Sequence, residues 1–223
     1  LDAEVAGTWR TRLDLARAVV ARFAERRIAE GDRVGLVVFG ETAFTLCPLS
    51  GDGRLLAAAL ARVTPGMAGS ATAVGDALAL AVKRAQPQAG KAAAAGPVAG
   101  RLVVLLTDGR SNAGAIPPDI AAGLARARGV RVHTVGVGSV GEVAMESGAA
   151  GGARGLRFER HDLDDATLGA IAAATGGRFF AAQSSADLDA VYAAIDAQER
   201  VPRRAPPRRD RTAPPEPFLA GAM

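Results

Sequence analysis

Asp108 is the residue whose position most clearly suggests chemistry, because it follows the most hydrophobic segment of the chain, residues 101–107. A buried strand would hold this carboxylate rigidly, and the turn at Gly109 would leave it open to solvent. Ligands of open α/β sheets bind beyond the carboxyl ends of the strands, so phosphoryl, nucleotide or metal chemistry fits this position. A turn residue that caps the following loop fits it equally well, and the residues alone leave both interpretations open.

A second group of polar residues lies at the start of a predicted helix, where Ser70 and Thr72 belong to the turn Ser-Ala-Thr. Thr72 offers a hydroxyl oxygen, and Asp76 follows it by about one helical turn. Two interpretations of Asp76 stay open: a supporting role behind Thr72, and an ordinary exposed acid on the helix. Ser111 and Asn112 follow the strand that ends near Asp108, and we expect them to line the same loops.

Other chemical motifs are incomplete. Residues 136–141 have the pattern Gly-x-Gly-x-x-Gly after a predicted strand, and in dinucleotide-binding proteins the third glycine of this pattern opens a helix. Residues 136–157 are instead predicted to form a glycine-rich loop, which argues against nucleotide binding. His133, His161 and the single cysteine, Cys47, have no zinc-ligand spacing, and one cysteine cannot form an internal disulfide. No Gly-x-Ser-x-Gly nucleophile motif occurs.

The elements that position these residues alternate between strands and helices. Short apolar runs predict strands, and apolar residues at helical spacing predict helices. This alternation predicts an α/β fold with a doubly wound, mostly parallel sheet and helices on both faces. The predicted strands are residues 33–39, 43–48, 101–107, 130–135 and 178–181, and the predicted helices begin at Arg12 and cover 55–62, 73–85, 117–128, 162–175 and 185–199.

The net positive charge of the chain comes entirely from its C-terminal end, residues 200–223. The chain has 223 residues, of which 49% are hydrophobic, and its formal net charge is +4. Residues 200–223 contain six arginines and two acids, which is the whole excess, so residues 1–199 are neutral. We therefore expect no nucleic-acid-binding body, but one domain over 1–199 and a basic, proline-rich disordered tail over 200–223. No apolar run reaches the about 20 residues of a membrane span.

Several segments occur together in an order that resembles one known family. They resemble the von Willebrand factor type A (VWA) domain, and more narrowly the bacterial aerotolerance-type (Bat) proteins, over roughly residues 10–199. No single segment is diagnostic, but the ordered set is specific. The segments are residues 11–17, 31–40, 47–50, 72–84, 105–114, 133–138, 174–181 and 188–192.

The resemblance implies a metal-ion-dependent adhesion site, abbreviated MIDAS. In the family, a divalent cation, usually Mg²⁺ and here Mg²⁺ or Mn²⁺, is held by an Asp-x-Ser-x-Ser turn after the first strand, by a threonine and by a second aspartate. Thr72 matches the threonine and Asp108 matches the aspartate. The Asp-x-Ser-x-Ser turn does not occur, and the first, central strand is also missing. We therefore expect an N-terminally truncated VWA domain in which metal affinity is weak or absent.

The function implied by the resemblance is a non-enzymatic interaction module without catalytic residues. It would bind a protein partner that offers an acidic residue to the cation. The parent protein would be membrane-anchored, of the stress or aerotolerance type, with its VWA domain outside the cytoplasm and in the periplasm. Two alternatives remain: a metal-free or truncated scaffold, and an α/β phosphoryl-transfer or nucleotide-binding protein that uses Asp108.

Overall fold

Strands and helices alternate along the chain, as the sequence predicts. The computed structural model describes residues 3–5, 8–10, 12–86, 100–137, 142–147, 155–160, 164–182 and 184–199. The strands are β1 (Ala3–Val5), β2 (Thr8–Arg10), β3 (Val34–Phe39), β4 (Ala43–Ser50), β5 (Arg101–Thr107), β6 (Val130–Val137), β7 (Glu142–Ser147), β8 (Gly155–Arg160) and β9 (Phe179–Ala182). The helices are α1 (Arg12–Ala29), α2 (Gly53–Ala61), α3 (Val74–Ala85), α4 (Pro118–Ala127), α5 (Asp165–Thr175) and α6 (Ser185–Glu199).

Local chemistry explains where several helices begin and end. The side chain of Asp52 accepts hydrogen bonds from the first backbone N–H groups of α2, and Asp164 does the same for α5. Helix α4 begins at Pro118, which has no N–H that would need a partner in the first turn. Gly176 ends α5 in the left-handed conformation, at φ 75°.

One predicted loop is wrong in the structure. Residues 136–157 were expected to form a glycine-rich loop, but β6 continues to Val137, and β7 and β8 form an antiparallel pair with Glu142 opposite Arg160. The alternation of Leu156 and Phe158 with charged residues is a period-two strand pattern, which the surrounding glycines and alanines obscured. A second small antiparallel pair, β1 with β2, precedes α1 where no strand was predicted.

The sheet is divided into two parts. Strands β5, β6 and β9 form a parallel sheet in the order β5-β6-β9, and β3 pairs with β4 in an antiparallel sheet. Among the described residues, no strand joins β3 to β5. The tail predicted over 200–223 lies outside the described residues.

Helices cover both faces of this arrangement, which confirms the doubly wound fold. On one face α3, α4 and α5 pack against β5 and β6 through Leu78, Val82, Ala125, Ile171, Leu105 and Val132. On the other face α1 and α6 pack against the same strands through Val19, Phe23, Tyr192, Ile195, Leu102, Val104 and Val135. Burial of each large apolar side chain contributes roughly 1.5–3 kcal/mol, so both layers stabilise the fold.

A buried histidine connects β6 to the end of α6. His133 is 1% exposed, and its Nδ1 accepts a hydrogen bond from the backbone N–H of Arg178 at 3.0 Å. Its Nε2 therefore carries the proton and donates to Oε1 of Glu199 at 3.0 Å, and Arg131 donates to the same oxygen at 2.7 Å. Burial raises the pKa of Glu199, but these hydrogen bonds lower it more, so the pKa lies below its ordinary value.

This arrangement predicts a pH-dependent contribution of Glu199 to stability. A carboxylate with a lowered pKa stabilises the fold above its unfolded pKa, and the contribution is lost as the pH falls through the folded value. We expect Glu199→Gln to lower the free energy of unfolding by about 1 kcal/mol at pH 7, and the difference from wild type to shrink as the pH falls below about 4.5. Urea unfolding across this pH range measures both. Glu25→Gln, an exposed change on α1, is the control and should have no effect. A difference that is constant with pH would contradict the prediction.

Candidate functional site

Thr72 is held at the carboxyl edge of the sheet by the loop that follows β5. Its backbone N–H donates to Oδ1 of Asn112 at 2.7 Å. Its carbonyl accepts from the N–H groups of Asn112 at 3.0 Å and Ala113 at 3.3 Å. The short segment before α3 is therefore fixed to the loop after β5, although the two are 40 residues apart in the sequence.

Asp108 lies beside this loop connection. It is exposed, and it follows Thr107, which is 6% exposed and whose hydroxyl contacts Gly109 at 3.3 Å. A Cβ atom at Gly109 would lie 3.2 Å from the hydroxyl oxygen of Thr72. The hydroxyl of Thr72 thus lies against the residue directly after Asp108, and the structure brings the two predicted ligands to one edge. Their role as metal ligands stays a prediction.

The carboxylate of Asp76 is bound by the segment that precedes α4. Its Oδ1 accepts hydrogen bonds from the backbone N–H of Ile116 at 2.8 Å and of Ala115 at 3.1 Å, and its Oδ2 also lies 3.1 Å from the latter. The carboxylate is therefore not an ordinary exposed helix acid, and its supporting role behind Thr72 stays a prediction. It joins the first turn of α3 to the segment before α4.

Two glycines at this edge were not recognised from the sequence. A Cβ atom at Gly75 would lie 1.8 Å from the carbonyl oxygen of Ile116, and one at Gly40 would lie 2.7 Å from that of Ala68. Both positions exclude any larger residue, because backbone from another segment passes directly against them. For Gly75, the signal in the sequence was a glycine within the first turn of a predicted helix. The local sequence does not show which distant segment packs against it.

The remaining candidates are spread around the same loops. Ser70 is exposed and Ser111 is half-buried, whereas Asn112 has the structural role described above. In the Gly-x-Gly-x-x-Gly segment, residues 138–141 lie outside the described residues. The chain continues at Glu142 as strand β7, not as the helix that a pyrophosphate site requires.

The chemistry of the two predicted ligands suits a hard cation. Mg²⁺ prefers oxygen ligands, keeps several waters and is commonly bound through one or two carboxylates. One carboxylate, from Asp108, and one hydroxyl, from Thr72, fit a largely hydrated ion. In the part of the chain that the structure describes, no group of three or more His, Cys, Asp or Glu side chains could hold a metal.

None of the helices within the described ranges is both long and apolar enough to cross a membrane.

Known proteins resemble this chain in sequence and in fold. Residues 6–194 match the model of the von Willebrand factor type A domain. An uncharacterized protein from Borreliella burgdorferi is 25% identical over 171 residues, which is 77% of this chain and 47% of the relative. The chain thus spans about half the length of this relative.

Solved structures share the fold. An aerotolerance-related membrane protein from Bacteroides fragilis superimposes with a TM-score of 0.66 and 25% identity, covering 84% of this chain and 88% of that protein. BatB from Bacteroides thetaiotaomicron has a TM-score of 0.64 and 24% identity over 83% and 87%. Proximal thread matrix protein 1 from the mussel byssus, with zinc in its MIDAS motif, has a TM-score of 0.57 and 20% identity over 80% and 41%.

The contact at Gly75 predicts opposite effects for two glycine substitutions within helices. Gly75→Ala should lower the free energy of unfolding by about 2–3 kcal/mol, because the new methyl group collides with the carbonyl of Ile116. Gly123→Ala in α4, where a Cβ atom meets nothing within 4 Å, should raise it by about 0.5–1 kcal/mol through helix propensity. Urea unfolding monitored by circular dichroism gives both values. If both substitutions changed the free energy of unfolding equally, the first turn of α3 would not pack against Ile116 as described.

Proposed function

The chain belongs to the von Willebrand factor type A domain family, and we propose that it is a non-enzymatic module that binds another protein at the carboxyl edge of its sheet. Its fold is that of aerotolerance-related proteins of Bacteroides. The contact between the hydroxyl of Thr72 and Gly109, next to Asp108, is the observation that carries the proposal. It supports a shared role for two residues that are distant in sequence.

The partner binds through an acidic residue at this edge. Mg²⁺, or Mn²⁺ in its place, would supply a positive charge with open coordination positions that a partner carboxylate can take. Asp108 contributes an exposed carboxylate at the end of a rigid strand. Thr72 contributes a hydroxyl, and its backbone N–H and carbonyl both hydrogen-bond to Asn112. Neither Thr72 nor Asp108 therefore needs a large rearrangement before binding.

A membrane-associated parent protein is part of the proposal. The similar protein from Bacteroides fragilis is described as an aerotolerance-related membrane protein. We place the module outside the cytoplasm, in the periplasm, where it would take part in an envelope assembly of the stress or aerotolerance type.

A metal-free contact through the same loops is the second candidate. The small number of oxygen ligands favours it, because one carboxylate and one hydroxyl bind a divalent cation weakly. Ser70 and Asp108 are exposed at these loops and could hydrogen-bond to a partner directly. The two candidates differ in whether partner binding requires the cation.

The cation step is tested with Mn²⁺ as a paramagnetic probe. In ¹⁵N-labelled protein, the amide signals of Thr72 and Gly109 should broaden at lower Mn²⁺ concentrations than those elsewhere. Asp108→Ala should weaken the apparent affinity by at least about tenfold. Asp165→Ala, which removes another exposed carboxylate at a helix start, is the matched control and should leave the broadening unchanged. Broadening spread over all exposed acids would contradict the cation site.

The partner step is tested with a short peptide that carries a single glutamate. With Mn²⁺ present, the peptide should bind wild-type protein, and the same peptide with glutamine should not, because a neutral amide is a weaker ligand for a hard cation. Fluorescence anisotropy of labelled peptides measures both. Binding that is equal with and without Mn²⁺, and sensitive to Asp108→Ala, would favour the metal-free contact instead.

A further inference from the structure

Five basic side chains, here called the basic edge, lie at the amino edge of the parallel sheet, where β5 and β6 begin. Arg101 is the first residue of β5, and its guanidinium donates to the carbonyl of Arg128, just after α4, at 3.2 Å. Lys83 in the last turn of α3 lines the same surface depression as Arg128. The basic edge consists of Lys83, Arg84, Arg101, Arg126 and Arg128.

The direction of the helices explains why these residues meet. Helix α3 begins at the carboxyl edge, where the N–H of Ala73 donates to the carbonyl of Gly40 after β3. Helix α4 begins beside it, since the segment before α4 donates hydrogen bonds to Asp76 in the first turn of α3. Both helices therefore end at the amino edge. Their last turns carry basic residues, which the helix dipole favours at that end.

The basic edge has no acidic partner in the described part of the chain. Four of its members are exposed: Lys83, Arg84, Arg126 and Arg128. Within the described ranges, no carboxylate forms an ion pair with any of them. Glu199 lies at the same edge but is bound by Arg131. Glu30 and Asp32, which follow α1, are bound by Arg27. The ion pairs of the described residues therefore leave the charge of the basic edge uncompensated.

A group of acidic residues lies at the opposite, carboxyl edge. They follow β3 and β5 or lie in the first turns of α3, α4 and α5: Glu41, Asp76, Asp108, Asp119 and Asp165. Because residues 1–199 are neutral in total, the domain combines a basic edge with an acidic one. The two edges are about 20 Å apart, since β5 has 7 residues and each advances the chain by about 3.3 Å.

The sequence after α6 adds positive charge at the amino edge. Helix α6 ends at Glu199, whose carboxylate accepts a hydrogen bond from Arg131 near the start of β6. Residues 200–223 follow in the sequence with six arginines and two acids, a net charge of +4. The basic edge and this segment thus join the fold at the same edge. Such a concentration of charge favours an extended anionic surface over a single small anion.

The composition of the surface favours lipid headgroups over nucleic acid. Single-stranded nucleic acids are commonly bound by exposed aromatic rings on which the bases stack. Within the described ranges, the exposed large apolar side chains are Leu55, Ile116 and Ile120, none of which is aromatic. The anionic headgroups of a lipid layer move laterally, so they can match cations at the ends of separate elements without a shaped groove.

We propose that the basic edge binds the anionic headgroups of a membrane and orients the domain on it. This rests on the membrane-associated parent protein proposed above. The carboxyl edge, with Thr72 and Asp108, then faces away from the membrane at a distance of about 20 Å, where a partner can reach it. Attraction between exposed charges is screened by salt, so this binding weakens at high ionic strength.

Co-sedimentation of the full chain with lipid vesicles tests this binding. The vesicles contain phosphatidylcholine alone or equal parts of phosphatidylcholine and phosphatidylglycerol, and EDTA is present so that no divalent cation takes part. The chain should sediment with the anionic vesicles only, and the bound fraction should fall as sodium chloride rises to about 0.5 M. No binding to the anionic vesicles, or equal binding to both kinds, would overturn the proposal.

Two double variants separate the basic edge from the net charge of the chain. Lys83→Gln combined with Arg128→Gln should weaken the apparent affinity for anionic vesicles about tenfold. Arg22→Gln combined with Arg62→Gln removes the same charge at exposed positions on other elements and should bind like wild type. Circular dichroism shows whether both variants fold. An equal loss in both variants would assign the binding to net charge, and full binding by the first would assign it to residues 200–223. Either result would overturn the proposal.

The orientation is measured on the unchanged chain and so does not depend on the variants. Small anionic bicelles carry a nitroxide on the lipid headgroup, and the ¹⁵N-labelled chain is added to them. The amide signals of Lys83 and Arg128 should broaden more than those of Thr72 and Gly109, because the effect of the nitroxide falls steeply with distance. Equal broadening at the two edges, or the reverse order, would overturn the proposed orientation.

The outcome for the basic edge is distinguishable from the outcome for the cation site. Vesicle binding in EDTA, without the Mn²⁺ broadening at Thr72 and Gly109, would support the basic edge and contradict the cation site. The reverse result would contradict the basic edge alone. A DNA duplex that binds the chain as tightly as the anionic vesicles, with the same dependence on Lys83 and Arg128, would overturn the proposal in favour of a nucleic-acid site.

Discussion

The seating of the first turn of α3 against the segment before α4 is the interaction on which the described structure depends. Gly75 allows the backbones to meet, and Asp76 accepts the N–H groups of Ala115 and Ile116. Because α3 packs against both β3 and β5, this contact sets the position of the antiparallel half of the sheet relative to the parallel half. The same seating brings Thr72 to the turn after Asp108.

The candidate cation site lies at the carboxyl edge of the sheet, where Thr72 precedes α3. It consists of a hydroxyl and a carboxylate at loops, where exposure favours polar ligands. The von Willebrand factor type A family accounts for the fold that presents this site, and this chain spans about half the length of its Borreliella relative.

The far side of the domain is held by buried polar contacts. His133 accepts from the backbone of Arg178 and donates to Glu199, which connects β6 and the start of β9 to the end of α6. The pKa of Glu199 is lowered because two donors outweigh the cost of burial. These contacts attach α6 at its last residue, so the packing of Tyr192 and Ile195 against α1 and β6 is maintained up to the end of the helix.

The sequence by itself determined the α/β class, most elements and the two residues expected at the carboxyl edge. Periodicity, caps and breakers act within a few residues, so α1, β5 and α4 could be predicted from local patterns. Asp108 stands out locally because it directly follows a predicted strand, whereas Thr72 was selected through the resemblance to the family, and the role of both as ligands stays a prediction. The β7–β8 pair was missed because glycines and alanines weakened its alternation.

Tertiary structure alone decided what these residues contact. The hydrogen bonds between Thr72 and Asn112, the use of Asp76 by a distant loop and the close approach at Gly75 join segments about 40 residues apart. Such contacts depend on how helices pack over the sheet, and local propensity does not determine that packing. The pairing of β3 with β4 and of β5 with β6 belongs to the same class, because an apolar strand sequence shows that a strand is suited to burial but not which neighbours it has.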